Sequence, residues 1–173
     1  MVGGVEVLLQ ALQEGGAQRL RDVERRWPAV LEWIEDGYLK VVHGVLGPVV
    51  VPDRLGWMVL GRPARTSLGS QRATEQIALR EAVVLALRRG YTVLDVGVRY
   101  LEVRNALGRR CLLYVRVAGG PPSGAAVALL MKTHRISLRR EQGSLILVVL
   151  DAKMYARQQR YHPRLMVWSL EDQ

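Results

Sequence analysis

The residues of this chain best suited to chemistry are carboxylates close to a lysine. Asp151-Ala152-Lys153 sets an acid and an amine two positions apart at the end of an apolar run, and Asp95 closes another such run. Carboxylates that converge at a sheet edge hold hard divalent cations, and a metal held there can activate water against a phosphate ester. Asp151 has a second reading, because an Asp ahead of a polar helical stretch is also a helix cap. The segment GRRCLLYVRVAGGPPSG, Gly108 to Gly124, reads as a strand, a break and the entry to a helix. An acid and a lysine often stand near the end of such a strand, but here Tyr114 and Arg116 do. A phenol is a poor ligand for a hard metal, and a guanidinium keeps its proton.

The elements that must position these groups follow from periodicity and punctuation. Val5, Leu8, Leu9 and Leu12 keep helical spacing up to Gly15-Gly16. Leu20 and Val23 mark a second helix, and Pro28 opens a third through Val30, Leu31, Trp33 and Ile34. Two strands, 38–42 and 48–51, flank a glycine-rich turn. Residues 57–60 then run on to a Gly/Pro/Ser-rich linker over 63–72, which separates a first domain (1–62) from a second (73–173). In the second, a long buried helix over 72–89 precedes strand candidates at 91–96, 98–104 and 110–117. A helix over 125–140, an apolar strand over 144–150, a polar helix over 151–160 and a last strand at 165–168 complete it. Three helices and a hairpin follow the winged-helix plan. A meander followed by a crossover is the core order of restriction-endonuclease-like folds and is also compatible with other α/β sandwiches; the fold class expected for the whole chain is α+β.

Charge narrows the function classes. The 173 residues carry a formal net charge of +9, and the only lysines are Lys40, Lys132 and Lys153. Residues 1–62 hold 7 basic and 8 acidic groups, whereas residues 63–173 hold 18 and 8. Such a field attracts polyanions, nucleic acid first, and double-stranded DNA is the partner expected. Arginine-rich composition is also what ion-pair networks produce. No apolar run reaches the ~18 residues of a membrane span. The start shows no basic leader, and the one cysteine, Cys111, excludes an internal disulfide, so a cytoplasmic location is expected. His43, His134 and His162 are scattered without metal-ligand spacing, and neither glycine-rich turn has the Lys-Ser/Thr of a phosphate loop.

The chain resembles the replication-relaxation proteins of bacterial plasmids and other mobile elements. The resemblance rests on Val49-Val50-Val51-Pro52-Asp53-Arg54-Leu55-Gly56, on Ala78-Leu79-Arg80-Glu81-Ala82 through Ala86-Leu87-Arg88-Arg89-Gly90, and on the strand at 110–117. It implies a winged helix joined to a degenerate nuclease-like domain and work on replication or transfer of mobile DNA, without a defined reaction. The nuclease pattern would need an acid at Glu102 and an acid-x-Lys where Tyr114-Val115-Arg116 stands, so the catalytic set is lost.

The first expectation is therefore a DNA-binding accessory protein without catalysis or cofactor. Arg19, Arg21, Arg25, Arg26, Lys40 and His43 would meet phosphates from the first domain, because the third helix carries Glu32, Glu35 and Asp36. Arg109, Arg110, Arg135, Arg139, Arg140, Arg157, Arg160 and Arg164 would do so from the second. Two alternatives stand beside it. One is a divergent nuclease using Asp95 or Glu102 with Asp151, Lys153 and Mg²⁺ or Mn²⁺. The other is an interaction module or homodimer that docks through the acidic third helix and exposed tryptophans.

Overall fold

A computed structural model describes residues 2–170 as a mixed α+β protein with two sheets and, among those residues, seven α-helices. The chain divides into two compact units, Met1–Ile77 and Ala78–Gln173. No helix among the described residues is long and apolar enough to cross a membrane.

The first unit is built on α1 (Val2–Gly15), which buries Val5, Leu8, Leu9 and Leu12 along one face, as their spacing predicts. Gly16 then turns the chain with φ +76°, a conformation glycine adopts without strain. The two residues Gln18–Arg19 form β1 and lead into α2 (Leu20–Arg26) and α3 (Val30–Glu35). Strands β2 (Leu39–Gly44) and β3 (Gly47–Pro52) make the hairpin, and the antiparallel sheet has the order β1-β3-β2. Val23, Val30, Leu39 and Val50 join the α1 residues in one core. Trp27 and Trp33 pack against that core, so the tryptophans expected on a partner face are largely spent on burying apolar area. Val49 and Val51 form a second core with Ala17 and with Ala73 and Ile77 of α5 (Ser70–Arg88), while Gln76 Oε1 accepts a hydrogen bond from the Ala17 amide at 2.9 Å.

Two boundaries differ from expectation. Residues 54–59 form a helix, α4 (Arg54–Val59), where no helix is expected; the Trp57 amide donates to the Asp53 carbonyl at 2.9 Å and the Leu60 amide to the Gly56 carbonyl at 3.0 Å. Helix α5 starts at Ser70, inside the stretch expected to be linker, and the division between the units falls within that helix.

The second unit carries a five-stranded sheet in sequential order: β4 (Thr92–Val96), β5 (Tyr100–Arg104), β6 (Arg110–Val115), β7 (Leu145–Val149) and β8 (Leu165–Ser169). The first three are antiparallel, and β6-β7 and β7-β8 are parallel. Helix α6 (Gly124–Arg140) makes the first crossover; a short 3-10 turn (Ala152–Tyr155) and α7 (Ala156–Tyr161) make the second. Strand period two then assigns faces. Leu101, Val103, Cys111, Leu113, Val115, Ile146, Val148 and Trp168 are buried on one of them. Leu145, Leu147, Val149 and Leu165 face the other way and are covered by Val127 and Leu138 of α6 and by Tyr155. All five residues of β7 are buried, which accounts for its unbroken apolar sequence.

Helix α6 is tied at both ends. Ser123 Oγ accepts from the Ala126 amide at 3.2 Å, an N-cap. At the other end Arg164 Nη1 donates to the carbonyls of Gly143, at 2.9 Å, and Leu138, at 3.4 Å. Gly143 lies so close to the Arg110 carbonyl oxygen that a Cβ there would collide with it.

Candidate nucleic-acid interface

The register of β5 on β6 decides which side chains stand beside Glu102 and Tyr114. Tyr100 pairs with Tyr114, while Glu102 pairs with Leu112. The acid therefore lies one same-face step from Tyr114, and the residue opposite Tyr114 is another tyrosine. The two rings lie 5.9 Å apart, and the Tyr114 hydroxyl is hydrogen bonded to His134 Nε2 at 2.8 Å. These three side chains, with Glu102, Arg110 and Glu141, line a cleft of about 390 Å³. Arg110 is ion-paired with Glu102, and that hydrogen bond, with weaker fields from Glu141 and Asp95, pushes the guanidinium pKa up. Burial pushes the Tyr114 phenol up; Tyr100 adds to this and Arg116 offsets it. The cleft thus offers a neutral phenol and a guanidinium already matched to carboxylates.

The alternative metal set does not assemble. Asp95 does neighbour Glu102 across β4 and β5. Asp151, however, follows β7, two strands from β5, and lies well beyond Leu145, the residue level with Glu102. Sequence proximity to an apolar strand end did not reveal which strand ends are adjacent. Asp151 Oδ1 accepts from the Lys153 amide at 2.9 Å, which makes it a cap, and Lys153 is exposed. Among the described residues no group of three or more His, Cys, Asp or Glu could hold a metal ion. Arg116 is half-buried with a buried Nε that has no hydrogen-bond partner among the described residues.

The cationic residues sort into bound and free. In the first unit Arg19 Nη1 donates to the Leu46 carbonyl at 3.0 Å and so braces the hairpin turn, while Lys40 faces Asp53 at 3.7 Å. Arg21 lies 3.7 Å from Asp22, and Arg26 stacks on Trp27 at 4.7 Å. Arg25 is exposed, as is His43 on the hairpin. In the second unit Arg110 is paired, and Arg164 serves the end of α6. Arg109 is exposed beside a turn in which Asn105 Oδ1 accepts from its amide at 2.9 Å.

Three further cations share one flank of α6. Ala128, Lys132, Arg135 and Arg139 fall at i, i+4, i+7 and i+11, a stripe flanking the buried face made by Val127, Leu138 and half-buried Leu130, Met131 and His134. Together with residues 161–164 this stripe lines a cleft of about 480 Å³. Its charged lining is Lys132, Arg135, Arg139 and Arg164, with His162 beside them and no carboxylate. Lys132, Arg135, Arg139, Arg157 and Arg160 make no ion pair among the described residues. Arg157 and Arg160 border a neighbouring concavity on α7 with Tyr161. Arg140 lies on α6 but outside the cleft.

The two clefts occupy opposite flanks of α6, with His134, Ser137 and Glu141 on one and Lys132, Arg135 and Arg139 on the other. Sequence reasoning had picked out Arg135 and Arg139 but missed Lys132, Tyr161 and His162 as their companions. The i, i+3, i+7 spacing from Lys132 to Arg139 was the available signal; Tyr161 and His162 come from a different crossover and had none. Comparison with known protein families, with curated proteins and with solved structures finds no match to this chain.

Proposed function

We propose that this protein is a non-catalytic DNA-binding accessory protein serving replication, transfer or control of mobile DNA. The observation that carries the reading is the cleft beside α6: three cations free of ion pairs, a fourth anchored at the helix end, and no carboxylate among its lining residues. Cations without partners neutralise phosphates at small desolvation cost and release counterions when they do so. The first unit supports the reading through its order, since three helices and a hairpin whose second strand pairs with β1 match the winged-helix plan. Exposed Arg21, Arg25 and Arg26 on α2 are the phosphate contacts proposed there. The second unit, a meander followed by a crossover, suits a nuclease-like scaffold whose catalytic position is filled by Tyr100, Tyr114 and His134. The link to mobile DNA rests on the resemblance carried by residues 49–56, 78–90 and 110–117.

The test is a mobility-shift titration of a duplex bearing a single-stranded tail, at low and at moderate salt, beside incubation of plasmid with Mg²⁺ or Mn²⁺. Binding at low salt that weakens steeply with added salt, without cleavage, is the expected result. Absence of binding at low salt contradicts the proposal, and so does metal-dependent cleavage abolished by Asp151→Ala or Glu102→Ala.

A further inference from the structure

We infer that the cleft beside α6 receives unpaired nucleotides of single-stranded DNA, with Tyr161 as the surface on which a base stacks. The inference rests on the DNA-binding reading above and adds the strand state that the cleft selects. Tyr161 ends α7 and is 69% exposed, an unusual exposure for so large a ring. It lines both the α6 cleft and the adjoining concavity on α7. Cations stand on either side of it: Lys132, Arg135 and Arg139 in the first, Arg157 and Arg160 in the second. The Arg157 guanidinium lies 5.7 Å from the Tyr161 ring centroid, so the ring is braced from its own helix.

The lining discriminates between strand states. A duplex presents phosphates and keeps its base faces in the stack, so it needs only cations from a protein surface. This cleft also has apolar lining, in which Met131, Leu138 and Pro163 take part. Apolar lining, an exposed phenol ring and flanking cations are the combination that single-strand binders use, because every unpaired base offers an apolar face beside its phosphate. A volume of about 480 Å³ is in the range of small-ligand sites and accommodates a nucleotide unit. The second concavity continues the cationic track past Tyr161, which favours a strand over a free nucleotide.

The experiment measures fluorescence anisotropy with three labelled probes: a single strand, the same strand carrying abasic sites, and a duplex of equal length. Wild type, Tyr161→Ala and Tyr161→Phe are compared. Tyr161→Ala is expected to weaken single-strand binding about tenfold, within the range known for base–aromatic stacking, while duplex binding stays within about twofold. Tyr161→Phe keeps the ring and is expected to bind as wild type. The abasic strand is expected to bind wild type about as weakly as the intact strand binds Tyr161→Ala. Equal single-strand affinity in wild type and Tyr161→Ala overturns the inference, as does equal wild-type affinity for abasic and intact strands. Displacement of the strand by a nucleoside monophosphate at comparable concentration also overturns it, in favour of a free nucleotide. In all three cases retained duplex binding leaves the broader reading intact; loss of binding to every probe at low salt defeats both.

Discussion

Cys111 and Tyr114 sit on opposite faces of β6, and burial raises the pKa of each. For Cys111 the consequence is kinetic, since the thiolate is the reactive form. Native protein should react with a thiol reagent such as DTNB far more slowly than protein in guanidinium; equal rates would show that the thiol is accessible. For Tyr114 the consequence is thermodynamic. A folded-state pKa above the ordinary 10.0 means that folding favours the neutral phenol, so the contribution is fully present below that value and is lost as pH rises through the folded pKa. Tyr114→Phe should therefore flatten the decline of stability above pH 10, measured by denaturant unfolding across the alkaline range. Arg164 is the residue whose role changed most. Nominated as a phosphate contact, it is half-buried and holds two carbonyls at the end of α6. Arg164→Ala should lower unfolding free energy by about 1–2 kcal/mol, because buried acceptors lose a charged donor.

At the scale of elements, α6 organises the second unit. Its buried stripe seats it on β7 and β8 and leaves Glu102, Leu112 and Tyr114 only half-covered at the edge of the same sheet face. That partial cover creates the aromatic cleft on one flank, and the basic stripe creates the other. The helix ends at a constriction, for Gly143 passes against the Arg110 carbonyl. Gly143→Ala should cost about 2–3 kcal/mol, the cost of forcing an atom into packed backbone, and urea unfolding would reveal it. Elements of this kind were legible because their pattern is local: α1 from Val5, Leu8, Leu9 and Leu12, β7 from five consecutive apolar residues, and α6 from the run over 125–140 that follows the Gly/Pro break. What stayed hidden was non-local. A two-residue strand such as β1 exists only by pairing with Val49 and Val50, and α4 is too short for a period to register. Register hid the site as well: Glu102 and Tyr114 could be nominated as partners, but only the β5-β6 pairing shows that Tyr100 stands between the two readings.

At the scale of the whole molecule, charge is divided with the sequence, near neutral over residues 1–62 and strongly positive beyond. Part of that excess is engaged within the second unit, where Arg110 is ion-paired and Arg164 is hydrogen bonded. Five exposed cations, Lys132, Arg135, Arg139, Arg157 and Arg160, stand together where α6 and the second crossover meet, so on the proposed reading removing a few of them should weaken DNA binding. The measurement that tests this most directly is the salt dependence of binding to a tailed duplex, compared between wild type and the triple variant Lys132→Ala/Arg135→Ala/Arg139→Ala. If these three side chains contact phosphates, the slope of log K against log salt should become shallower by about 2–3 in the variant, with weaker binding at low salt. An unchanged slope and affinity would contradict the assignment of the α6 cleft as the DNA site.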